Sequence, residues 1–171
     1  MIQCVGSREE PANYCSRICC QDALKNSIAI KEKNPAARVI ILYRDMRAYG
    51  LKEDFYKRAR DLGVLFFLFT PEEKPVVDTG GEKLRVSLPG KVLGKEMVIE
   101  PDYVVLSTGL RPQEDATEFA KKYKLTCNID DYFLEAHVKL RPVDFPSEGF
   151  FLAGLAHAPK NLEETLSQSL A

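Results

Sequence analysis

The sequence lacks an excess of either charge. Its 24 Lys and Arg face 25 Asp and Glu, for a net of −1 at pH 7. That balance removes the electrostatic basis for binding nucleic acid or an anionic membrane surface. No apolar run approaches the roughly 18 residues a membrane span requires. The opening Met1-Ile2-Gln3-Cys4-Val5-Gly6 has no basic segment and no long apolar stretch of the signal-peptide kind, so a cytoplasmic location is expected. Internal repeats and low-complexity tracts are missing. So is any GxGxxG, the fingerprint that lets a pyrophosphate approach backbone N–H groups at a helix start.

Cysteine is what the chain has, and unevenly. Of five cysteines, Cys4, Cys15, Cys19 and Cys20 fall within the first 20 residues and Cys127 stands alone. An odd count without a secretory leader argues against a disulfide framework and for metal or redox chemistry. The 171 residues as a whole, 45% hydrophobic and 29% charged, are ordinary for a chain that buries a core.

Met1 to Val5 is a short apolar run and reads as a buried strand, followed by a polar loop over Gly6 to Asn13. Apolar residues from Ile18 to Ile30 mix helical spacings and stop at Lys33-Asn34-Pro35. Val39 to Tyr43 is continuous and β-rich, as for a parallel strand covered on both faces. Leu51, Phe55, Ala59 and Leu62 form a helical stripe closed by Gly63, and Val64 to Phe69 is the next strand. This alternation predicts an α/β, doubly wound, nucleotide-binding-type domain with a parallel sheet. Pro71 to Val98, punctuated by glycines, predicts an antiparallel meander. Asp102 to Leu106 reads as a buried strand leading to Ser107-Thr108-Gly109. Asp115 to Tyr123 reads as a helix, Gly149 to Gly154 as a final strand and Asn161 to Ala171 as a final helix.

The cysteine spacing is Cys4-x10-Cys15-x3-Cys19-Cys20. A [4Fe–4S] cluster needs four thiolates around a cube. Cys15 and Cys19, four apart, would share one helix face, while Cys20 is turned by about 100° on an ideal helix. A common centre for these three therefore needs a helix N-terminus or a local irregularity. The loop stands where a phosphate-cradling loop would link strand one to the first helix. A helix start favours thiolates and an anionic cluster, and Arg8 and Arg17 add positive charge. Two alternatives stay open: thiols without metal, and zinc, whose usual two- to four-residue gaps fit adjacent cysteines poorly. Cys127 is read as a packing residue outside the centre.

Ile2-Gln3-Cys4-Val5-Gly6-Ser7-Arg8 and Tyr14-Cys15-Ser16-Arg17-Ile18-Cys19-Cys20 together resemble the A subunit of heterodisulfide reductase, a family of FAD- and iron–sulfur-containing subunits of anaerobic electron-transfer complexes. Asp45-Met46-Arg47-Ala48-Tyr49-Gly50, Val104 to Leu110, Glu135-Ala136-His137, Lys139 to Asp144, Gly149 to Gly154 and Pro159-Lys160 extend the resemblance over nearly the whole chain. It implies a fold similar to thioredoxin reductase, with residues 1–110 as an inserted nucleotide-domain-like region and 111–171 as the closing part of a split FAD domain. The half of the FAD domain that carries GxGxxG and the ferredoxin-like CxxCxxC segments have no counterpart here. Leu155 stands where the family often has Cys, and His157 where it often has Gln.

By the same resemblance, Thr108, Gly109, Gly154 and Lys160 are candidate flavin contacts, Lys160 as a cation beside a reduced flavin. Each also has a plain structural reading: a tight turn for Thr108 and Gly109, a solvated loop for Lys160. His137 and His157 lack a second ligand in view and read as polar packing or surface. Arg44 and Arg47 read as structural or interface residues. The implied function is an electron-transfer module of a flavin and iron–sulfur oxidoreductase, inactive alone. Its partners are the FAD half and other subunits of the complex. Two other functions compete: a pyridine-nucleotide disulfide reductase using Cys19 and Cys20, for which CxxC is the usual spacing, and a docking or structural domain with metal-free or zinc-bound cysteines.

Overall fold

The computed structural model describes residues 1–90 and 94–171; residues 91–93, inside the meander read from the sequence, lie outside the described residues. The chain divides into two compact units. The first comprises Met1–Gly6 and Cys19–Thr108, the second Ser7–Ile18 and Gly109–Ala171.

The first unit is α/β. Strands β1 (Ile2–Val5), β2 (Ile40–Tyr43), β3 (Leu65–Leu68) and β7 (Leu106–Thr108) form a parallel sheet in the order β3-β2-β1-β7. Parallel neighbours need crossover connections, and helices α1 (Cys19–Lys33) and α2 (Glu53–Asp61) supply them between β1, β2 and β3. One face of the sheet packs Ile41 against Ala23, Leu24 and Ile28 of α1 and Ala59 of α2. The other packs Ile2, Leu42 and Phe69 against Val86 and Leu88. Those last two belong to the antiparallel sheet of β4 (Val76–Asp78), β5 (Arg85–Leu88) and β6 (Met97–Ile99). The parallel sheet with crossover helices and the separate meander are those anticipated from the sequence.

Three local expectations are corrected. The helix expected from Leu51 starts later: Gly50–Lys52 is a 3-10 turn, and α2 begins at Glu53. Leu51 is 89% exposed and Phe55 is also exposed. Ala59 is the buried position of α2, and Tyr56 stacks edge-on against Phe66 at 4.8 Å between ring centres. The strand expected over Asp102 to Leu106 is confined to β7, and Leu106 is exposed because β7 is an edge of the sheet. Gly149 to Gly154 makes only one isolated bridge, Asp144 to Phe151. Gly149 and Gly154 take φ of +80° and +66°, and such left-handed residues turn the backbone out of an extended path at both ends of the segment.

The second unit carries α3 (Ala116–Tyr123) and α4 (Leu162–Ser169). Its aromatic side chains form a chain of contacts: Tyr123 with Phe119, Phe119 with Phe133, and Phe133 with Phe145, at 4.6 to 6.0 Å between ring centres. Helix α4 begins with a capping box. Asn161 accepts from the Glu164 N–H at 2.8 Å, and the Glu164 carboxylate accepts from the Asn161 N–H at 3.0 Å. Two orphan donors of the helix start are thereby satisfied.

Candidate functional site

The cysteine segment departs from regular strand at its first cysteine. Between Ile2 and Val5 the register of β1 against β7 shifts, and Cys4 takes φ +61°. Gly6, Arg8 and Arg17 are also left-handed, at +63°, +63° and +46°. A left-handed conformation costs a non-glycine residue about 1–2 kcal/mol, and such outliers gather at functional sites. Cys4, Arg8 and Arg17 all belong to the stretch that carries the four clustered cysteines.

Cys4, Cys19 and Cys20 belong to the first unit and Cys15 to the second. Cys19 and Cys20 open α1. Cys20 is buried, and its Sγ donates to the Asp45 carbonyl at 3.7 Å. Its pKa falls from 9.0 to about 7. The hydrogen bond with the Cys19 side chain is the largest cause; burial opposes it, and the Arg47 backbone N–H helps it. In the thiol form Cys20 donates to Asp45; the Cys19 and Arg47 contacts ease the loss of that proton to give the thiolate, the form that binds metal. Cys15 Sγ accepts the Arg17 backbone N–H at 3.2 Å. No disulfide joins the described cysteines. Among the described residues, no three His, Cys, Asp or Glu side chains converge as a metal site. Cys127 is pushed the other way, its thiol raised first by burial and then by Asp131.

Iron–sulfur ligation asks for thiolates, N–H donors to sulfur and a screened environment. The chemistry of the donors fits. One thiol is already acidic, one sulfur already accepts a backbone N–H, and the side-chain amide of Gln3, beside Cys4, is buried with neither polar atom bonded. The amide nitrogen of Gln21, next to Cys20, is likewise buried without a partner, while its oxygen accepts from Lys52 at 2.9 Å.

Thr108 ends β7, opposite Val5. Gly109 follows in the second unit, where an added Cβ would meet the Ser7 side chain at 2.9 Å, so only glycine fits without displacement. Ser16 Oγ accepts the Leu110 N–H at 2.8 Å, and Tyr14 donates to the Leu110 carbonyl at 2.7 Å. These contacts pin the turn after Thr108. Gly154 begins a 3-10 turn, and its N–H donates to Gln168 Oε1 at 2.9 Å. Lys160 stands before the α4 cap; burial lowers its pKa first and Arg17 second, while Glu164 and Glu135 oppose.

One group of side chains has no signal in the sequence. His157 Nε2 meets Glu135 Oε2 at 2.7 Å, and Gln168 Nε2 meets His157 Nδ1 at 2.8 Å. Gln168 Oε1 is already occupied by the Gly154 N–H, so its nitrogen donates to Nδ1 and the imidazole proton sits on Nε2, toward Glu135. Net stabilisation of the Glu135 anion overcomes burial, the largest single effect, through its own backbone N–H and His157. The partners are 22 and 11 residues away in sequence, and no local pattern announces them. His137 Nδ1 accepts the Lys139 and Leu140 N–H groups at 3.2 Å, a turn-forming role.

A parallel sheet whose first strand leads through a cysteine-bearing stretch into its first helix defines a nucleotide-binding-type α/β domain with thiols where phosphate-binding glycines would stand. No family model matches the chain. It is 41% identical over 98% of its length to the A subunit of the H2/formate:CoB-CoM heterodisulfide,ferredoxin reductase of Methanococcus maripaludis and to the iron–sulfur A subunit of the CoB–CoM heterodisulfide reductase of Methanocaldococcus jannaschii. In each case it spans 26% of the relative's length. It is 36% identical over 99% of its length to the A subunit of a ferredoxin:CoB-CoM heterodisulfide reductase of Methanosarcina acetivorans, spanning 21% of that protein. Over nearly its whole length the chain is thus similar to heterodisulfide reductase A subunits, and it spans about a quarter of the length of these relatives.

Proposed function

We propose that this chain is an electron-transfer module of a flavin- and iron–sulfur-dependent oxidoreductase, with Cys4, Cys15, Cys19 and Cys20 as the thiolate ligands of a [4Fe–4S] cluster. The observation that carries this reading is the spacing Cys4-x10-Cys15-x3-Cys19-Cys20. The acidic Cys20 thiol supports it. So does the 41% identity to a protein named as an iron–sulfur subunit. A cluster bound there supplies one-electron exchange between FAD and neighbouring centres.

The chain's own residues provide the setting. Cys19 and the Arg47 N–H hold Cys20 toward its thiolate form, and the Arg17 N–H donates to Cys15 sulfur. Thr108, Gly109, Gly154 and Lys160 form part of a flavin-facing wall, within a segment 111–171 that closes an FAD domain. The pyrophosphate contacts come from a GxGxxG-bearing half outside these 171 residues. Other subunits of a cytoplasmic electron-transfer complex are the partners. Among the described residues no helix is long and apolar enough to cross a membrane.

A second reading is a docking or structural domain with metal-free or zinc-bound cysteines; one observation favours its metal-free form, that no three ligands converge among the described residues. Iron and acid-labile sulfide analysis after anaerobic purification separates the two. About four of each per chain is expected for one cubane; stoichiometric zinc without sulfide overturns the cluster.

A further inference from the structure

Gln3 is 1% exposed, and neither Nε2 nor Oε1 has a hydrogen-bond partner. Leaving a buried amide unbonded is costly, and native proteins rarely do so without an ion, a water or a functional group to meet it. An apolar side chain at this position in β1 would avoid that cost.

The fold says which way the amide points. Ile2 packs in the core cluster with Leu42, Phe69, Val86 and Leu88. Met1 packs against the opposite cluster, the one that includes Ala23, Leu24 and Ile28 of α1. Side chains alternate along a strand, and Gln3 precedes the left-handed Cys4. Gln3 therefore shares Met1's face, the one that α1 covers. Because β1 and β2 are parallel, α1 must run back along the sheet between them. Its first turn, Cys19 and Cys20, thus lies toward the C-terminal end of β1, the half that begins with Cys4. The orphaned amide is on the α1-covered face, one residue before Cys4.

We propose that the Gln3 side-chain amide is an N–H donor to cysteine-centre sulfur on the side of Cys4, Cys19 and Cys20, and that it raises the reduction potential of the cluster. This rests on the cluster reading above. Thiolate sulfur accepts N–H bonds, and a donor favours the more negative, reduced state. Gln3 is a positioning and tuning residue in this scheme and undergoes no chemistry itself.

The test compares anaerobically prepared wild type with Gln3→Met, which keeps the shape and removes the donor. Iron and sulfide are assayed, and the midpoint potential is followed by EPR. The expected result is four irons in both and reduction about tenfold less favourable in Gln3→Met, a midpoint lower by ~59 mV for one electron. An unchanged midpoint with four irons still bound overturns the inference and leaves the cluster reading standing. Wild type without iron and sulfide overturns the cluster reading and this inference with it. If Gln3→Met holds no cluster, Gln21→Leu protein carrying 15N at its glutamine side-chain amides decides. Pulsed EPR coupling of the reduced cluster to an amide 15N supports the role of Gln3, and no coupling overturns it.

Discussion

Arg17, between Cys15 and Cys19 in sequence, forms an ion pair with Glu164, 147 residues further on. Glu164 is also the N3 residue of the α4 capping box. One carboxylate thus serves a helix start and the cysteine-bearing stretch together. Asn161→Ala removes the cap oxygen and leaves the ion pair in place. It should cost about 1 kcal/mol of stability, measured by urea unfolding. A loss indistinguishable from zero means that the capping box contributes nothing.

The four clustered cysteines should behave alike and Cys127 differently. Replacing Cys4, Cys15, Cys19 or Cys20 by Ser weakens or abolishes iron binding, because a cubane needs all four ligands. Cys127→Ser leaves iron content unchanged. Iron assays on the five variants check this, and loss of iron in Cys127→Ser alone would show the ligand set to be wrong.

Stability should fall in acid. The pKa values of Glu135 and Glu164 lie below the ordinary 4.5 in the folded chain. In both, burial pushes upward and is outweighed, by backbone N–H groups and by His157 for Glu135 or Arg17 for Glu164. A depressed folded pKa gives stability that is fully present above the unfolded value and lost as pH falls through the folded one. Urea midpoints should therefore hold from pH 7 to about 5 in respect of these groups and drop below the ordinary 4.5. Glu135→Gln together with Glu164→Gln should flatten that drop. An unaltered acid slope in the double variant would assign it to other carboxylates.

Flavin should bind this chain weakly or not at all. A pyrophosphate needs the close backbone approach that GxGxxG gives, and the early loop carries Arg8, Glu9 and Glu10 instead. Two carboxylates there repel phosphate. Adding the GxGxxG-bearing half in trans should raise affinity by orders of magnitude. Calorimetric titration of FAD into the chain alone checks this; a sub-micromolar Kd would mean that a complete site is already present.

Much of the first unit was legible because strands and helices alternate and each announces itself by period. Val39 to Tyr43 and Val64 to Phe69 are β-rich runs bounded by breakers, and they became β2 and β3. The apolar stripe of Leu51 and Phe55 misled, since periodicity cannot tell an inward ridge from an outward one at a helix start. Phe151, 73% exposed, misled for a related reason: an apolar run between glycines looks like a strand whether or not a partner strand lies beside it. The cysteine spacing was legible directly, but the assignment of Cys15 to the second unit and of Cys4, Cys19 and Cys20 to the first was not. The burial of Gln3 was not, although one polar residue inside Met1-Ile2-Gln3-Cys4-Val5 was the available hint. The contacts of His157 with Glu135 and Gln168 depend on the tertiary fold alone.

The chain passes from one unit to the other after Gly6, after Ile18 and after Thr108. The second unit is consequently not a contiguous stretch of gene. A truncation that keeps only residues 109–171 discards Ser16, which accepts the Leu110 N–H, Ser7, which packs close against Gly109, and Tyr14, whose ring packs edge-on against Tyr132 at 5.5 Å. Tyr132 is buried in the intact chain, and its aromatic face would open to water in the truncated piece. Anyone dissecting this protein by deletion would therefore remove support for the C-terminal unit by trimming the other end of the sequence. A split-protein design would succeed only if residues 7–18 travelled with it, rejoined through a new linker.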